Sequence, residues 1–136
     1  MKTRTSWAEK VQKDATPVVK PLDRRFAGHD VGELMLISSA KDVNTKIRRI
    51  KSGTAITIPE FRERLAKSAN ADFTRPLSTG IFLRVVAEAA LEALATGKAI
   101  DEVTPFWRVI EPTSTLAQKL SCGPTFISQR RRIEQT

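Results

Sequence analysis

The sequence predicts a mainly α protein with short β segments. Three observations carry that prediction. Helix-start patterns recur at Ser6-Trp7-Ala8-Glu9, Ser39-Ala40-Lys41-Asp42 and Thr57-Ile58-Pro59-Glu60. In each, a hydroxyl can accept from the backbone N–H three residues on, with an acidic residue placed to answer it. Apolar residues behind the second and third patterns return at spacings of three and four, the helical period. The extended stretches are short and held by Pro17, Pro21 and Pro105, because proline fixes φ and restricts the residue before it.

A short helix starts at Ser6. Pro17 and Pro21 hold an extended segment through Val18, Val19 and Leu22. Phe26 to Gly32 is a loop with Gly28 and Gly32. Leu34 to Ile37 is an apolar run that fits a strand or a buried tether. The helix from Ser39 puts Val43, Ile47 and Ile50 on one stripe, with Lys46, Arg48, Arg49 and Lys51 on the rest of its surface, and Ser52-Gly53 ends it. Ala55 to Thr57 is extended. The helix from Thr57 runs to about Lys67, with Ile58, Phe61 and Leu65 inward, and Ala69 to Asp72 turn the chain.

Arg75-Pro76 opens the longest helix, to about Thr96, stopped by Gly97. Leu77, Ile81, Phe82, Val85, Val86, Ala89, Ala93 and Leu94 cover most of its circumference, leaving a stripe of Arg84, Glu88 and Glu92. That pattern predicts a nearly buried central helix. Val103 to Ile110 reads as extended around Pro105, Pro112 to Gly123 as a loop, and Pro124 as the start of a last helix ending in Arg130-Arg131-Arg132. Two helices joined by a short turn, then extended chain, is the layout of a winged helix-turn-helix. Residues 39–136 form that single domain, and residues 1–38 add a helix and an extended segment packing on it.

With 136 residues, 40% hydrophobic and 28% charged, the chain suits one globular domain. No apolar run reaches the roughly 18–20 residues of a membrane span. Met1 to Lys13 is polar, without a signal-peptide core, and a cytoplasmic location is expected. Cys122 is the only cysteine and His29 the only histidine, so no internal disulfide and no zinc site are expected. Neither a metal nor a cofactor is called for, and there is no Gly-rich phosphate loop.

Catalytic candidates are few. Cys122 precedes a helix, whose N-terminus can lower a thiol pKa, although no base lies near it in sequence; the alternative is a packing residue. His29 sits in a Gly-flanked loop without an identifiable partner. Glu60 and Glu63 share a helix, but Glu60 is explained as a cap and Glu63 as an i,i+4 partner of Lys67. The basic features are stronger. Lys and Arg number 23 against 15 Asp and Glu, a net charge of +8, which suits phosphate partners, or only keeps the protein in solution. Lys46-Ile47-Arg48-Arg49-Ile50-Lys51, then Arg62 and Arg64, then Arg130 to Arg132 are the clusters.

Four segments resemble one family in order and spacing. Thr104-Pro105-Phe106-Trp107-Arg108-Val109-Ile110 is similar to the Pro-Cys-His-Arg-Val motif of the methylated-DNA–protein cysteine methyltransferases. Gly53 to Phe61 resembles the segment opening the first helix of that family's DNA-binding domain. Leu77-Ser78-Thr79-Gly80 falls where the family has Arg-Ala-Val-Gly on its recognition helix. Ser121-Cys122-Gly123 and the helix to Glu134 resemble the closing loop and last helix. The resemblance covers about residues 40 to 136, and is nearest to a bacterial alkyltransferase-like group with a similar Ser-Trp N-terminus and a Thr-Pro-aromatic-Trp-Arg-Val motif.

The departures set the expected chemistry. Phe106 stands where the acceptor cysteine would be and Trp107 where the activating histidine would be. A carbon side chain cannot take an alkyl group by displacement, so transfer at this position is excluded. Glu134 matches the glutamate that orients the histidine, whose partner is gone. Ile58 replaces a phosphate-contacting tyrosine. Leu77 replaces the arginine that fills the space of a flipped base, and Arg75 is the candidate substitute. Relatives without the chemistry are proposed to bind damaged DNA, flip the altered base and pass the lesion to a repair-protein partner.

The resemblance and the charge together assign double-stranded DNA to Thr57, Arg75, Leu77, Ser78, Thr79, Arg84 and Arg108, with Arg48 and Arg49 beside them, and a base pocket to Phe106 and Trp107. The alternative for that aromatic pair is a filled, collapsed active site. Three functions follow: a non-enzymatic DNA-binding protein, a repurposed scaffold that binds protein without DNA, and an enzyme acting through Cys122.

Overall fold

The computed structural model describes residues 6–13 and 16–135. Residues 1–5 of the polar N-terminal stretch lie outside the described residues. The fold is mainly α, with one small three-stranded sheet. Helix α1 (Trp7–Gln12) starts with a full capping box between Ser6 and Glu9. Strands β1 (Val18–Pro21) and β2 (Leu34–Ile37) pair antiparallel, with Val18 opposite Ile37 and Pro21 opposite Leu34. The apolar run at 34–37 is therefore a strand. A Phe26–His29 bridge tightens the loop between them.

Helix α2 (Ala40–Arg48) is capped by Ser39 and α3 (Ile58–Ser68) by Thr57, whose oxygens accept from the Asp42 and Glu60 amides. Strand β3 (Phe73–Thr74) pairs parallel with β2, Met35 facing Phe73. Helix α4 (Pro76–Ala95) follows directly. Short 3-10 turns cover Ile100–Glu102 and Phe106–Arg108. Helices α5 (Thr115–Lys119) and α6 (Gly123–Glu134) complete the chain. No helix among the described residues is long and apolar enough to cross a membrane.

Helix α4 is the spine. Its C-terminal half packs on α1 and α2, and Leu83, Val86 and Ala87 enter a core with Val43, Ile47, Phe61, Leu65, Phe106, Trp107 and Ile127. The N-terminal residues join this body at two places. The Glu92 carboxylate accepts from the Trp7 and Ala8 amides at 3.2 and 3.1 Å, which satisfies two free N–H groups at the start of α1. The sheet ties the β1–β2 hairpin to the entry of α4.

Four expectations change. Helix α4 is not buried all round: Leu77 is 64% and Ile81 53% exposed, whereas Glu88, read as part of its polar stripe, is 6% exposed. The segment 103–110 is not an extended strand. Phe106, Trp107, Val109 and Ile110 are all buried, so no side of it faces water. Without a neighbouring strand its backbone must pair internally, and Ile110 N–H donates to the Phe106 carbonyl at 3.0 Å. Ala55 to Thr57 makes a single ladder-like bond, Ile56 N–H to the Arg108 carbonyl at 2.8 Å, and is no strand. The loop 112–123 contains α5, capped by Ser114. The sheet therefore comes from chain before and between the helices, not from the extended chain expected after α4.

Candidate functional site

The Thr104–Ile110 segment lies at the centre of the core. Phe106 is 0% and Trp107 2% exposed. Their rings meet edge-on at 5.4 Å, and Phe126 stacks on Phe106 at 5.8 Å. Phe106 is enclosed by the core, while Trp107, though nearly buried, also lines a cleft with Arg108 and Arg130.

Trp107 keeps a polar task. Its Nε1–H donates to Glu134 Oε2 at 2.9 Å. Arg108 grips the same carboxylate with two donors, Nε to Oε1 at 2.9 Å and Nη2 to Oε2 at 2.8 Å, while Nη1 donates to the Ile50 carbonyl at 2.6 Å. The expectation that Glu134 lacks a partner is thus overturned: the Trp107 indole N–H and the Arg108 guanidinium both donate to it. Burial alone would push Glu134 up, but the hydrogen bonds from Arg108 and Trp107 and the Arg108 charge outweigh it and hold the carboxyl below its usual range. Arg131 Nε also donates to the Trp107 carbonyl at 2.6 Å. Arg108, assigned to DNA, is instead a neutralised member of this cluster.

The other assigned residues divide. Ser78 and Thr79 point inward at 6% and 0% exposure, and the Thr79 hydroxyl donates to the Arg75 carbonyl at 2.9 Å. Neither reaches a ligand without unwinding α4, so both leave the assigned surface. Thr57 uses its hydroxyl as the cap of α3. Leu77 is exposed, and with Ile81 and Arg84 it occupies one helical face, at spacings of four and three. Arg75 stands at the N-cap position of α4 without a side-chain capping bond. Neither Arg75 nor Arg84 forms an ion pair among the described residues; Arg84 lies 6.0 Å from the Trp7 ring.

Arg48 belongs elsewhere. It donates to the Glu102 carbonyl at 3.3 Å and lines a cleft of about 490 Å³ with Ser52, Asp101, Trp107 and Arg130. Arg49 is exposed on the helix end beside it. Arg75 lines a different cleft, about 390 Å³, with Lys20, Asp23, Arg24 and Phe26. The sequence reading missed those hairpin residues. Their signal was present in the cations on either side of Pro21, but the pairing that carries them to α4 depends on β3, two residues long.

The catalytic candidates find structural partners. Cys122 is half-buried, its Sγ donates to the Gly123 carbonyl at 3.3 Å, and burial pushes the thiol up, with the Glu88 carboxylate adding to it. The lowering expected at a helix start is not realised. Glu88 itself accepts from the Ser121 amide at 3.0 Å and from the Ser121 hydroxyl. His29 has partners after all: its Nδ1 lies 2.9 Å from Glu33, and its ring stacks on Phe73 at 3.7 Å. Glu60 serves the α3 cap, and Glu63 lies 3.9 Å from Lys67. No group of three His, Cys, Asp or Glu among the described residues is placed to hold a metal. No family model, curated protein or solved structure matches the chain, so the family resemblance rests on the sequence motifs.

Proposed function

We propose that the protein is a non-enzymatic DNA-binding relative of the alkyltransferases, in which α3, the turn and α4 act as the helix-turn-helix of a winged-helix-like domain. One observation carries this reading. The N-terminal half of α4 presents exposed Leu77 and Ile81 between Arg75 and Arg84, and neither arginine is paired within the described residues. Arginines at both ends of such a face suit two phosphate contacts. Leucine and isoleucine between them suit apolar contact with thymine methyls or a wedge between base steps. Because Phe106 and Trp107 fill their own space, the reading places recognition on the duplex surface and makes no use of a flipped base beside them.

The exposed Leu77 and Ile81 also favour a second reading, a scaffold that binds a protein partner through the same face. Fluorescence anisotropy separates the two. Two short duplexes, one unmodified and one carrying O6-methylguanine, are titrated at low and moderate salt. Equal, salt-sensitive binding is expected, and Arg84→Ala should reduce the salt slope by about 0.9. A clear preference for the modified duplex would mean that the core at Phe106 and Trp107 opens to take a base. Absence of binding at low salt would reject the DNA reading in favour of a protein partner.

A further inference from the structure

We infer that the β1–β2 hairpin is a second arm of the nucleic-acid interface, which holds a backbone phosphate of the duplex in the cleft between Lys20, Arg24 and Arg75. This rests on the duplex-binding reading and extends it to residues outside the stretch that carries the family resemblance.

Three cations from two separate parts of the chain converge on that cleft, with Asp23 as its one carboxylate. Lys20 and Arg24 come from the hairpin; Arg75 comes from the entry to α4. None of the three forms an ion pair among the described residues. An uncompensated cluster of this kind raises the local potential and favours a multiply charged anion over solvent counter-ions. Phe26 lines the same cleft and is 43% exposed, an apolar face suited to the sugar next to a bound phosphate.

The cluster is held in place on the α4 side. Arg75 N–H donates to the Leu36 carbonyl at 2.9 Å. Asp72 N–H donates to the Leu34 carbonyl at 2.8 Å, and the Asp72 carboxylate accepts from Leu34 N–H at 2.7 Å. On the hairpin side, Leu22 exchanges backbone bonds with Glu33 and Gly32, both at 2.9 Å. Gly32 has φ +92° and Gly28 φ +83°, a backbone setting that favours glycine and lets the loop close. The backbone that carries the hairpin cations is therefore fixed relative to the start of α4, and little backbone freedom is lost on binding. Arg75 lines the cleft and stands at the entry to α4, two residues before exposed Leu77, so a nucleic-acid backbone bound in the cleft would pass close to the start of α4. That continuity favours nucleic acid over an acidic protein, which would have no reason to follow α4.

The test is the salt dependence of duplex binding by the whole chain, from about 50 to about 200 mM salt. The wild type is compared with Lys20→Ala/Arg24→Ala and with Asp23→Asn. All three positions are exposed, and thermal melting should be unchanged. Loss of the one phosphate held in the cleft should lower the salt slope by about 0.9 and weaken binding roughly eight-fold at about 0.1 M salt. Asp23→Asn removes the carboxylate and should tighten binding several-fold, a gain that misfolding cannot imitate. Wild-type binding with an unchanged slope in the double variant would overturn the hairpin arm while leaving α4 as the interface. If the wild type binds no duplex, the underlying reading fails and the arm fails with it.

Discussion

Replacing Glu134 with alanine tests whether the Thr104–Ile110 segment is held by a polar cluster. Glu134 and Arg108 side chains are 9% and 15% exposed, and the carboxylate receives three hydrogen bonds, two from Arg108 and one from Trp107. Removing one partner of a buried ion pair typically costs about 3–5 kcal/mol, because the other charge stays buried without compensation. The stranded indole N–H adds about 1–3 kcal/mol where water cannot reach it. These terms share one acceptor and do not add. The residual exposure of Arg108 also lets water replace part of the loss, so the expected total is about 3–4 kcal/mol. For a chain of this size that corresponds to a drop of roughly 10–15 °C in Tm.

Urea unfolding followed by circular dichroism reads the change directly, and Glu134→Gln should fall between wild type and alanine, since the amide keeps an acceptor but no charge. A loss below about 1 kcal/mol for Glu134→Ala would refute the reasoning. It would mean that burial of Phe106, Trp107 and Ile110 holds the segment without the carboxylate.

Two further predictions follow from the same geometry. The Glu134 carboxyl is held below its usual range in the folded protein, so the stability it contributes is complete above its unfolded pKa of about 4.3 and is lost as pH falls through the folded value. The stability gap between wild type and Glu134→Gln, measured by urea titration, should therefore be full near neutral pH and close in acid; a gap that widens in acid would reverse the assignment. Ser121→Ala strips one of the two hydrogen bonds that reach Glu88, which is 6% exposed. It should destabilise the protein by about 1–3 kcal/mol, and an unchanged urea midpoint would show that Glu88 draws on water instead.

The helix starts were legible because capping is local chemistry. Ser6, Ser39 and Thr57 each need only a residue three positions away, and each accepts its bond there. The packing of α4 was not legible for the opposite reason. A helix apolar on nearly every face gives no internal sign of which face its neighbours leave bare. Leu77 and Ile81 lie beyond the stretch covered by α1 and α2, so tertiary packing alone exposes them. Glu88 and Arg84 looked equivalent along the polar stripe, yet Ser121, thirty-three residues on, covers Glu88 and nothing comparable covers Arg84. Strand β3 was hidden by its length, since two residues show no alternation. Around Pro105, proline and β-branched residues suggested extended chain, but aromatic burial on all sides required a backbone that bonds to itself.

The bonds of Glu134 show what the Phe106–Arg108 turn cannot do as it stands. In the resemblance, the glutamate matters because it orients a ring N–H. Tryptophan retains a ring N–H donor, so the carboxylate retains its bond, and Arg108 beside it supplies the counter-charge. What changes is the other side of the ring. An imidazole has a second nitrogen able to take a proton; an indole has only carbon there. The Trp107–Glu134 hydrogen bond thus fixes a core residue and cannot prepare a base. The arrangement ties α6 to the Phe106–Arg108 turn. On the proposed reading, affinity for DNA comes instead from exposed Leu77, Arg84 and Arg49 and from Arg75 with the hairpin cations Lys20 and Arg24.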